Sequence, residues 1–195
     1  MDEITLKIGL IGNQSVGKSN LIRSFVDNRF EDNYLSTIGV DYFEKEIIFN
    51  NKKIKLIIQD TSGEERFRCI SKNYYNNVDG IIFVFDVNNL DSFNAIIKYW
   101  LKECDNQLGE YKKILVGNNI GLSEDMRVVS KEKINKYVES KQIKYFEINT
   151  KEGTNVNIIF KELVELILKD FPEKKENKNY KLVYDNNNSS KKKCC

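Results

Sequence analysis

Residues 12–19 form the run Gly12-Asn13-Gln14-Ser15-Val16-Gly17-Lys18-Ser19, which follows an apolar, strand-like segment, Ile4–Ile11. A helix-like segment begins near Lys18. In the spacing G-x-x-x-x-G-K-[ST], glycines let the backbone curl so that successive N–H groups point inward at an anion. The lysine reaches the outer phosphates, and the hydroxyl after it ligates Mg²⁺. The run therefore predicts a phosphate-binding loop; the alternative is an ordinary Gly-rich turn between a strand and a helix.

The composition is that of a globular chain with one domain. Apolar residues make up 41% and charged residues 31% of the 195 positions, which supplies a sizeable core. No apolar stretch reaches the ~18 residues that a membrane-spanning helix needs. The cysteines are not spaced like a disulfide framework, so we expect a cytosolic compartment, with Cys69 and Cys104 as reduced packing residues. The chain contains no histidine, which excludes histidine-dependent chemistry.

The net charge of +2 is unevenly distributed along the chain. Residues 172–195 carry seven lysines and three acidic residues, which leaves the rest of the chain mildly acidic. Such a body lacks the basic surface of a general nucleic-acid-binding protein, and we expect no nucleic-acid partner. The hydrophobic pattern also ends near Phe171, which predicts a folded domain, 1–171, followed by a disordered tail, 172–195.

Hydrophobic patterning predicts six strands that alternate with four helices. The predicted strands are Ile4–Ile11, Tyr42–Phe49, Ile54–Gln59, Gly80–Val87, Lys113–Gly117 and Ile143–Ile148, and the predicted helices are Lys18–Val26, Ser92–Cys104, Lys131–Glu139 and Val156–Phe171. Asp91-Ser92 is the expected N-terminal cap of the second helix. Near-continuously apolar strands between helices indicate a parallel sheet covered on both faces.

Polar residues follow several of these strands. Gly12 follows the first, Asp60 the third, Asn118 the fifth and Asn149 the sixth. Parallel sheets bind their ligands at the carboxyl ends of the strands, so we expect these residues to lie at one site. An acid in the position of Asp60 holds Mg²⁺ through water.

Two residues in the intervening loops extend this site. Thr37 lies between the first helix and the second strand, where its hydroxyl can reach Mg²⁺ and its N–H a terminal phosphate; the alternative is an ordinary loop threonine. Gly63 leaves its N–H free to approach a γ-phosphate closely.

The chain resembles a small Ras-type GTPase, and specifically a Rab, from about Lys7 to Phe171 and again at its last two residues. The motifs that carry the resemblance are GNQSVGKSN (12–20), STIGVDY (36–42), QDTSGEERF (59–67), NYYNNVDGIIFVFDV (73–87), ILVGNN (114–119), RVVS (127–130) and the terminal CC. The resemblance implies an α/β fold of the P-loop NTPase type: a three-layer sandwich with a six-stranded, mostly parallel sheet and five helices. It also implies a domain that changes shape between GTP and GDP and uses Mg²⁺.

The resemblance assigns roles residue by residue. The implied nucleotide-binding residues are Asn13, Gln14, Ser15, Val16, Gly17, Lys18, Ser19, Asn20, Phe30 (stacked on the guanine), Tyr34 (a lid over the phosphates), Thr37, Gly63, Asn118, Asn119, Asn149, Thr150 and Lys151. The implied metal ligands are Ser19, Thr37 and Asp60. Lys18 and Glu64 are the implied catalytic residues.

The chain departs from the family at the guanine-reading motif. Asn-Lys-x-Asp is replaced by Asn118-Asn119-Ile120-Gly121. Asn118 can still tie the base loop to the phosphate loop, but Gly121 has no carboxylate for the N–H groups on the edge of guanine. Losing two charge-assisted hydrogen bonds costs about 3–5 kcal/mol. Glu124 or Asp125 are alternative acceptors.

A second departure concerns hydrolysis. Glu64 stands where the family has the glutamine that orients the attacking water. A carboxylate accepts a hydrogen bond from water but does not donate one to the transition state, and it brings negative charge toward the phosphates. Slow hydrolysis is one interpretation, and the alternative is a pseudo-GTPase binding module.

The tail resembles a lipidation signal. Cys194 and Cys195 are similar to the double-geranylgeranylation site of Rabs, and Lys191–Lys193 would add attraction to an anionic membrane. The alternative is a solvated lysine run with incidental cysteines. The resemblance implies a protein that cycles between the cytosol and the cytoplasmic face of intracellular membranes.

The predicted function is a Rab-type switch in vesicle trafficking. The resemblance implies an exchange factor, a GTPase-activating protein and effectors as partners, and a monomeric chain. Gln59 replaces the tryptophan of the effector-binding aromatic trio of Rabs, while Tyr42 and either Tyr74 or Tyr75 remain, so we expect altered effectors. Trp100 is expected to be a packing residue.

Overall fold

The computed structural model describes residues 4–28, 37, 40–61, 78–118 and 126–170. Six strands lie in these ranges: β1 (Ile4–Ile11), β2 (Val40–Phe49), β3 (Lys52–Thr61), β4 (Gly80–Asp86), β5 (Lys112–Asn118) and β6 (Lys144–Glu147). The helices are α1 (Lys18–Asp27), α2 (Leu90–Ala95), α3 (Leu101–Gln107), α4 (Lys131–Lys141) and α5 (Val156–Asp170). A π-helical segment, Ile96–Trp100, joins α2 to α3, so that residues 90–107 form one continuous helix.

The six strands form one sheet in the order β2-β3-β1-β4-β5-β6. β2 runs antiparallel to β3, and every other neighbouring pair is parallel. β1 lies between β3 and β4 in the sheet. The strands that follow β1 along the chain are therefore placed first on one side of it (β2 and β3) and then on the other (β4, β5 and β6). Sheets of this kind bind ligands beyond the strand ends at such a point, and the run 12–19 begins there.

Two apolar cores cover the two faces of the sheet, because successive side chains of a strand point to opposite faces. In β4, Ile82 and Val84 belong to the core that includes α1 and α5. Their neighbours Phe83 and Phe85 belong to the second core, with Phe93 and the helix that contains it. The result is a three-layer sandwich, as the sequence predicted.

The core under α1 and α5 is closed by aromatic stacking. The rings of Phe25 in α1 and Phe160 in α5 lie 3.7 Å apart, centroid to centroid. Phe160 belongs to the predicted apolar stripe of the last helix, whose members Ile159, Phe160, Leu163, Val164 and Ile167 are all fully buried. Their spacing matches the 3.6-residue repeat of a helix, so the predicted stripe is confirmed.

The predicted strands and helices are all present, with shifted ends. β3 extends beyond the predicted Gln59 because its pairing with β2 continues to Val40 opposite Thr61. Asp60 therefore lies within the strand. Because α2 and α3 are parts of one continuous helix, the helices α1–α5 of the described ranges form four continuous helices. Within these ranges, no helix is long and apolar enough to cross a membrane.

The predicted cap at Asp91-Ser92 is wrong, because the helix begins earlier. Asn89 is the N-terminal cap: its backbone is extended, and its Oδ1 accepts a hydrogen bond from the Ser92 N–H at 3.1 Å. Ser92 is fully buried inside the helix, where its hydroxyl bonds the main chain of Asp86 and Asn89. Asparagine and aspartate side chains both supply an acceptor oxygen, so residue type alone did not show whether Asn89 or Asp91 caps the helix.

Replacing Asn89 by Ala should lower the free energy of unfolding by about 1 kcal/mol, because the Ser92 N–H loses its acceptor. Asp91→Ala is the matched control: Asp91 supplies only a charge in the first turn, so we expect a loss below about 0.5 kcal/mol. Urea denaturation of both variants measures the difference. Equal losses would contradict Asn89 as the cap.

Candidate nucleotide-binding site

The loop between β1 and α1 has the curled backbone that the sequence predicted. Ser15 and Gly17 both adopt left-handed conformations, with φ of 63° and 92°. Gly17 is also packed closely, because a Cβ there would lie 2.2 Å from the Asn118 Nδ2. At Gly12 a Cβ would lie 2.1 Å from the carbonyl oxygen of Val84. Both glycines are therefore needed for close approach of neighbouring groups.

Lys18 lies in the centre of this loop and is nearly buried, with 4% of its surface exposed. Its Nζ donates hydrogen bonds to the main-chain oxygens of Gly12, at 2.9 Å, and Asn13, at 2.8 Å. Burial lowers the pKa of Lys18 to about 8, and the negative charge of Asp60 acts in the opposite direction. The loop thus holds a desolvated cationic group, which is suited to binding an anion.

Three oxygen-bearing side chains meet beside this lysine. The Thr37 hydroxyl donates to Asp60 Oδ2 at 3.2 Å. The Ser19 and Thr37 hydroxyl oxygens lie 3.1 Å apart, within hydrogen-bond distance of each other. These groups come from the start of α1, from the loop before β2 and from the end of β3. Oxygen ligands of this kind suit Mg²⁺, which usually takes one or two carboxylates and keeps several waters.

Asp60 has the features of a metal-binding carboxylate. It is 1% exposed, and its Oδ1 has no hydrogen-bond partner in the described part of the chain. Burial raises the pKa of this carboxyl, whereas hydrogen bonds from Ser19 and Thr37 and the charge of Lys18 lower it. A buried carboxylate oxygen without a partner is unfavourable unless a ligand supplies one, and a hydrated divalent cation fits this requirement.

The end of β5 is connected directly to the phosphate loop. As the sequence predicted, Asn118 forms this tie: its Nδ2 donates to the carbonyl oxygen of Val16 at 3.0 Å, across 102 positions. Asn118 is 1% exposed, and its Oδ1 also lacks a partner among the described residues. The predicted base-binding and phosphate-binding segments are therefore in contact.

The loop after β6 forms a compact turn next to Asn118. The main chains of Asn149 and Thr154 exchange two hydrogen bonds, and Asn149 Oδ1 accepts from the N–H groups of Lys151 and Glu152. Thr150 is buried, whereas Lys151 is exposed. The turn is thus held by its own main chain and by one asparagine side chain.

An ion pair supports the strand that leads into this turn. Arg127 contacts both carboxylate oxygens of Glu147, and Tyr145 Oη donates to Glu147 Oε1 at 2.8 Å. Burial raises the pKa of Glu147, but the hydrogen bonds from Arg127 and Tyr145 outweigh it and hold this pKa below its usual value. In the sequence, Arg127 is recognisable only as part of the RVVS motif. Its pairing with Glu147 was not predicted, because a contact between residues 20 positions apart leaves no local pattern.

Trp100 is buried, as expected, but it also bonds the phosphate loop. Its indole N–H donates to Asn13 Oδ1 at 3.0 Å. Sequence reasoning missed this contact because the two residues are 87 positions apart.

Several predicted site residues lie outside the described residues. These are Phe30, Tyr34, Gly63, Glu64, Asn119, Cys194 and Cys195, together with Gly121 and the tail 172–195. Of the other members of the loop, Gln14 and Ser15 are exposed, Val16 is buried and Asn20 is half-buried.

Comparison with known proteins agrees with this geometry. The model of the Ras family matches residues 7–169. This chain belongs to the Ras family. It is 40% identical over 173 residues to the Ras-related protein Rab-1C of Dictyostelium discoideum, covering 88% of this chain and 85% of that protein. It is 36% identical over 195 residues to the Ras-related protein Rab-10 of Diplobatis ommata, covering 99% and 96% of the two chains.

A plant relative gives the same result: the Ras-related protein RABD2c of Arabidopsis thaliana is 43% identical over 155 residues, which cover 79% of this chain and 76% of that protein. The chain is a Rab-type small GTPase. The resemblance on which the sequence analysis relied is therefore confirmed, and so is the P-loop fold class. Ras-family proteins bind GTP and GDP, generally with Mg²⁺, and hydrolyse GTP.

In this Rab-type chain, Gly17→Ala should lower GDP affinity more than about tenfold, because the new Cβ clashes with Asn118 and displaces the loop. Gly153→Ala is the matched control, since Gly153 also has a positive φ, 72°, but has nothing within 4 Å of an added Cβ. Both variants carry the left-handed backbone penalty of about 1–2 kcal/mol. Calorimetric titration with GDP separates the two effects, and equal affinities would contradict the steric argument.

Proposed function

We propose that this Rab-type chain is a guanine-nucleotide switch that regulates vesicle trafficking, is attached to the cytoplasmic face of intracellular membranes and hydrolyses GTP slowly. The observation that carries the proposal is the meeting of Lys18, Ser19, Thr37 and Asp60 at the carboxyl end of the sheet. An ammonium, two hydroxyls and a buried carboxylate at one place form a suitable site for a triphosphate with a divalent cation.

In this proposal, the N–H groups of residues 13–19 and the Lys18 ammonium hold the phosphates. Ser19 and Thr37 would ligate Mg²⁺ directly, and Asp60 would hold it through water. When bound there, Mg²⁺ would supply positive charge that offsets the negative charge developing on the phosphates as GTP is hydrolysed. Lys18 contributes to catalysis by stabilising negative charge on the outer phosphate oxygens. Gly63 and Tyr34 would contribute to binding the γ-phosphate, as the resemblance implies.

The base is held on the other side of the phosphate loop. Asn118 links the two parts through Val16, and the Thr150 N–H is the donor for the guanine carbonyl. The turn that contains Asn149 and Lys151 fixes this N–H in place. Phe30 would stack on the base, and Asn119 would take the role of the lysine that the family has at this position of its motif. The match to the Ras family, whose members bind guanine nucleotides, supports GTP and GDP as the ligands.

Glu64 explains the slow hydrolysis in this proposal. A carboxylate at this position accepts a hydrogen bond from the attacking water but adds negative charge next to the phosphates. We therefore infer that a GTPase-activating protein accelerates the reaction, and that an exchange factor and effectors act on the monomeric chain.

A second candidate function is a pseudo-GTPase binding module. Gly121 and Asn119 favour it, because the guanine-reading carboxylate and lysine of the family are both replaced in this chain. The missing carboxylate would cost about 3–5 kcal/mol of guanine binding, which corresponds to a hundredfold or greater loss of affinity. Such a module would keep the fold and the phosphate site while losing base specificity.

The proposed domain boundary is the place where the hydrophobic pattern ends, near Phe171. Residues 1–171 would form the GTPase domain, and residues 172–195 would be a disordered tail that carries geranylgeranyl groups on Cys194 and Cys195. Two lipid chains anchor a protein stably where one chain does so only marginally. Lys191–Lys193 would add about 1 kcal/mol each near an anionic leaflet.

Titration of the purified full chain with GTP, GDP, XTP and ATP in Mg²⁺, followed by single-turnover phosphate release, tests the proposal. Nanomolar binding of GTP and GDP with measurable phosphate release supports the switch. Similar micromolar binding of all four nucleotides supports the binding module. The absence of heat with any nucleotide, on folded material, would contradict both functions.

Gly121→Asp should tighten GTP binding by a hundredfold or more, because it restores the carboxylate for the guanine edge. Gly109→Asp is the matched control: Gly109 is exposed and has nothing within 4 Å of an added Cβ, so the same charge change should leave GTP affinity unaltered. Competition titrations against GTP and ATP measure both affinity and base preference. An unchanged affinity for Gly121→Asp would show that another group, such as Glu124 or Asp125, already reads the base.

Replacing Cys194 and Cys195 together by Ser should release the protein from membranes, because both lipid sites are lost. Replacing Lys191–Lys193 by Gln should weaken attachment but retain a lipid-anchored fraction. Membrane fractionation of cells that express each variant gives the readout. Unchanged sedimentation of the cysteine variant would show that the lysines or a partner are sufficient for attachment.

A further inference from the structure

The helix between β4 and β5 contains a π turn at its centre. The Leu101 N–H bonds the Ile96 carbonyl oxygen, five positions back, where an α-helix would use a residue four positions back. A π turn inserts one residue, and it therefore rotates the side chains on either side of it relative to a regular helix. Such turns occur frequently at functional sites.

Trp100 is the last residue of this π turn. It is the only tryptophan of the chain, it is 5% exposed, and it packs in the core that contains Phe83 and Phe93. Its ring also meets that of Tyr99 edge to face, with centroids 5.0 Å apart. The core packing fixes the indole, and its N–H points at Asn13 Oδ1 at 3.0 Å. A rigid ring with one polar atom directed at a loop is suited to fixing that loop.

Asn13 connects this contact to the centre of the site. Its side-chain oxygen accepts from Trp100, and its main-chain oxygen accepts from Lys18 Nζ at 2.8 Å. The second half of the loop is held separately, by the hydrogen bond from Asn118 to Val16. Thus Trp100, in the helix between β4 and β5, holds the first half of the phosphate loop, and Asn118, at the end of β5, holds the second half.

We propose that Trp100 is a positioning residue for nucleotide binding. Its indole N–H fixes Asn13, so that the Asn13 carbonyl holds the Lys18 ammonium in the orientation that phosphates require. The consequence is a longer residence time of the bound nucleotide. The inference rests on the proposed nucleotide-binding function of the loop and adds a residue that does not touch the nucleotide itself.

The test uses the full chain loaded with radiolabelled GDP in Mg²⁺ and measures GDP dissociation by filter binding. Trp100→Phe keeps an aromatic ring but removes the donor, and Asn13→Ala removes the acceptor. Each should speed GDP release about two- to tenfold, the equivalent of one hydrogen bond. The double variant should release GDP no faster than the faster single variant, because both changes remove the same contact.

Two further measurements separate positioning from general destabilisation. Tyr111→Phe is the matched control, since it removes a 2.5 Å hydrogen bond to Asp105 next to the same core and should leave GDP release unchanged. The fluorescence of Trp100, which is unambiguous in a chain with one tryptophan, should shift to shorter wavelength in Asn13→Ala, because the indole loses its acceptor.

The outcomes are distinct. If the wild-type chain retains GDP and Trp100→Phe releases it at the wild-type rate, or if the effects of the two single changes multiply, the inference is wrong while the proposed function stands. A Tyr111→Phe variant that accelerates release as much as Trp100→Phe also overturns it. A wild-type chain that binds no GDP overturns the proposed function and this inference together.

Discussion

The buried ammonium of Lys18 is the constraint on which the candidate site depends. Removing a charge from water is costly, and this cost appears as a pKa that burial lowers to about 8. Two main-chain oxygens and the nearby carboxylate of Asp60 compensate for it. Those oxygens belong to a loop that passes through left-handed conformations at Ser15 and Gly17. The curled backbone that supplies hydrogen-bond acceptors to Lys18 therefore also gives the loop a shape that suits an anion.

The sheet topology supplies the remaining groups. β1 lies between β3 and β4, so the residues after β1 and at the end of β3 are neighbours although about 48 positions separate them. This places Asp60 next to the phosphate loop. On the other side, β5 ends at Asn118, which reaches Val16 directly. The site is thus assembled from strand ends, and the two apolar cores hold these ends in register.

Local patterns were sufficient to predict the elements, whereas most contacts between them, other than the tie from Asn118 to the phosphate loop, were not predicted. The strands were predictable because they contain apolar, β-branched runs, and the phosphate loop because its glycines are required by close contacts at Gly12 and Gly17. The cap at Asn89 was missed because Asp91 offers an equivalent oxygen two positions later. The π turn and the bond from Trp100 to Asn13 were missed because hydrophobic periodicity records neither backbone register nor pairs 87 positions apart.

The unpartnered oxygens indicate how this fold is coupled to its ligands. Asp60 Oδ1 and Asn118 Oδ1 are both buried without a hydrogen-bond partner among the described residues, and both lie at the candidate site. A buried acceptor left unpaired costs about 1–3 kcal/mol, so a hydrogen-bond donor or a cation at these oxygens is favourable. A ligand that supplies donors or positive charge there removes this cost only in the folded chain. The binding of such a ligand would therefore stabilise the folded chain by an amount that grows with the logarithm of its affinity, so folding and ligand binding would be thermodynamically linked.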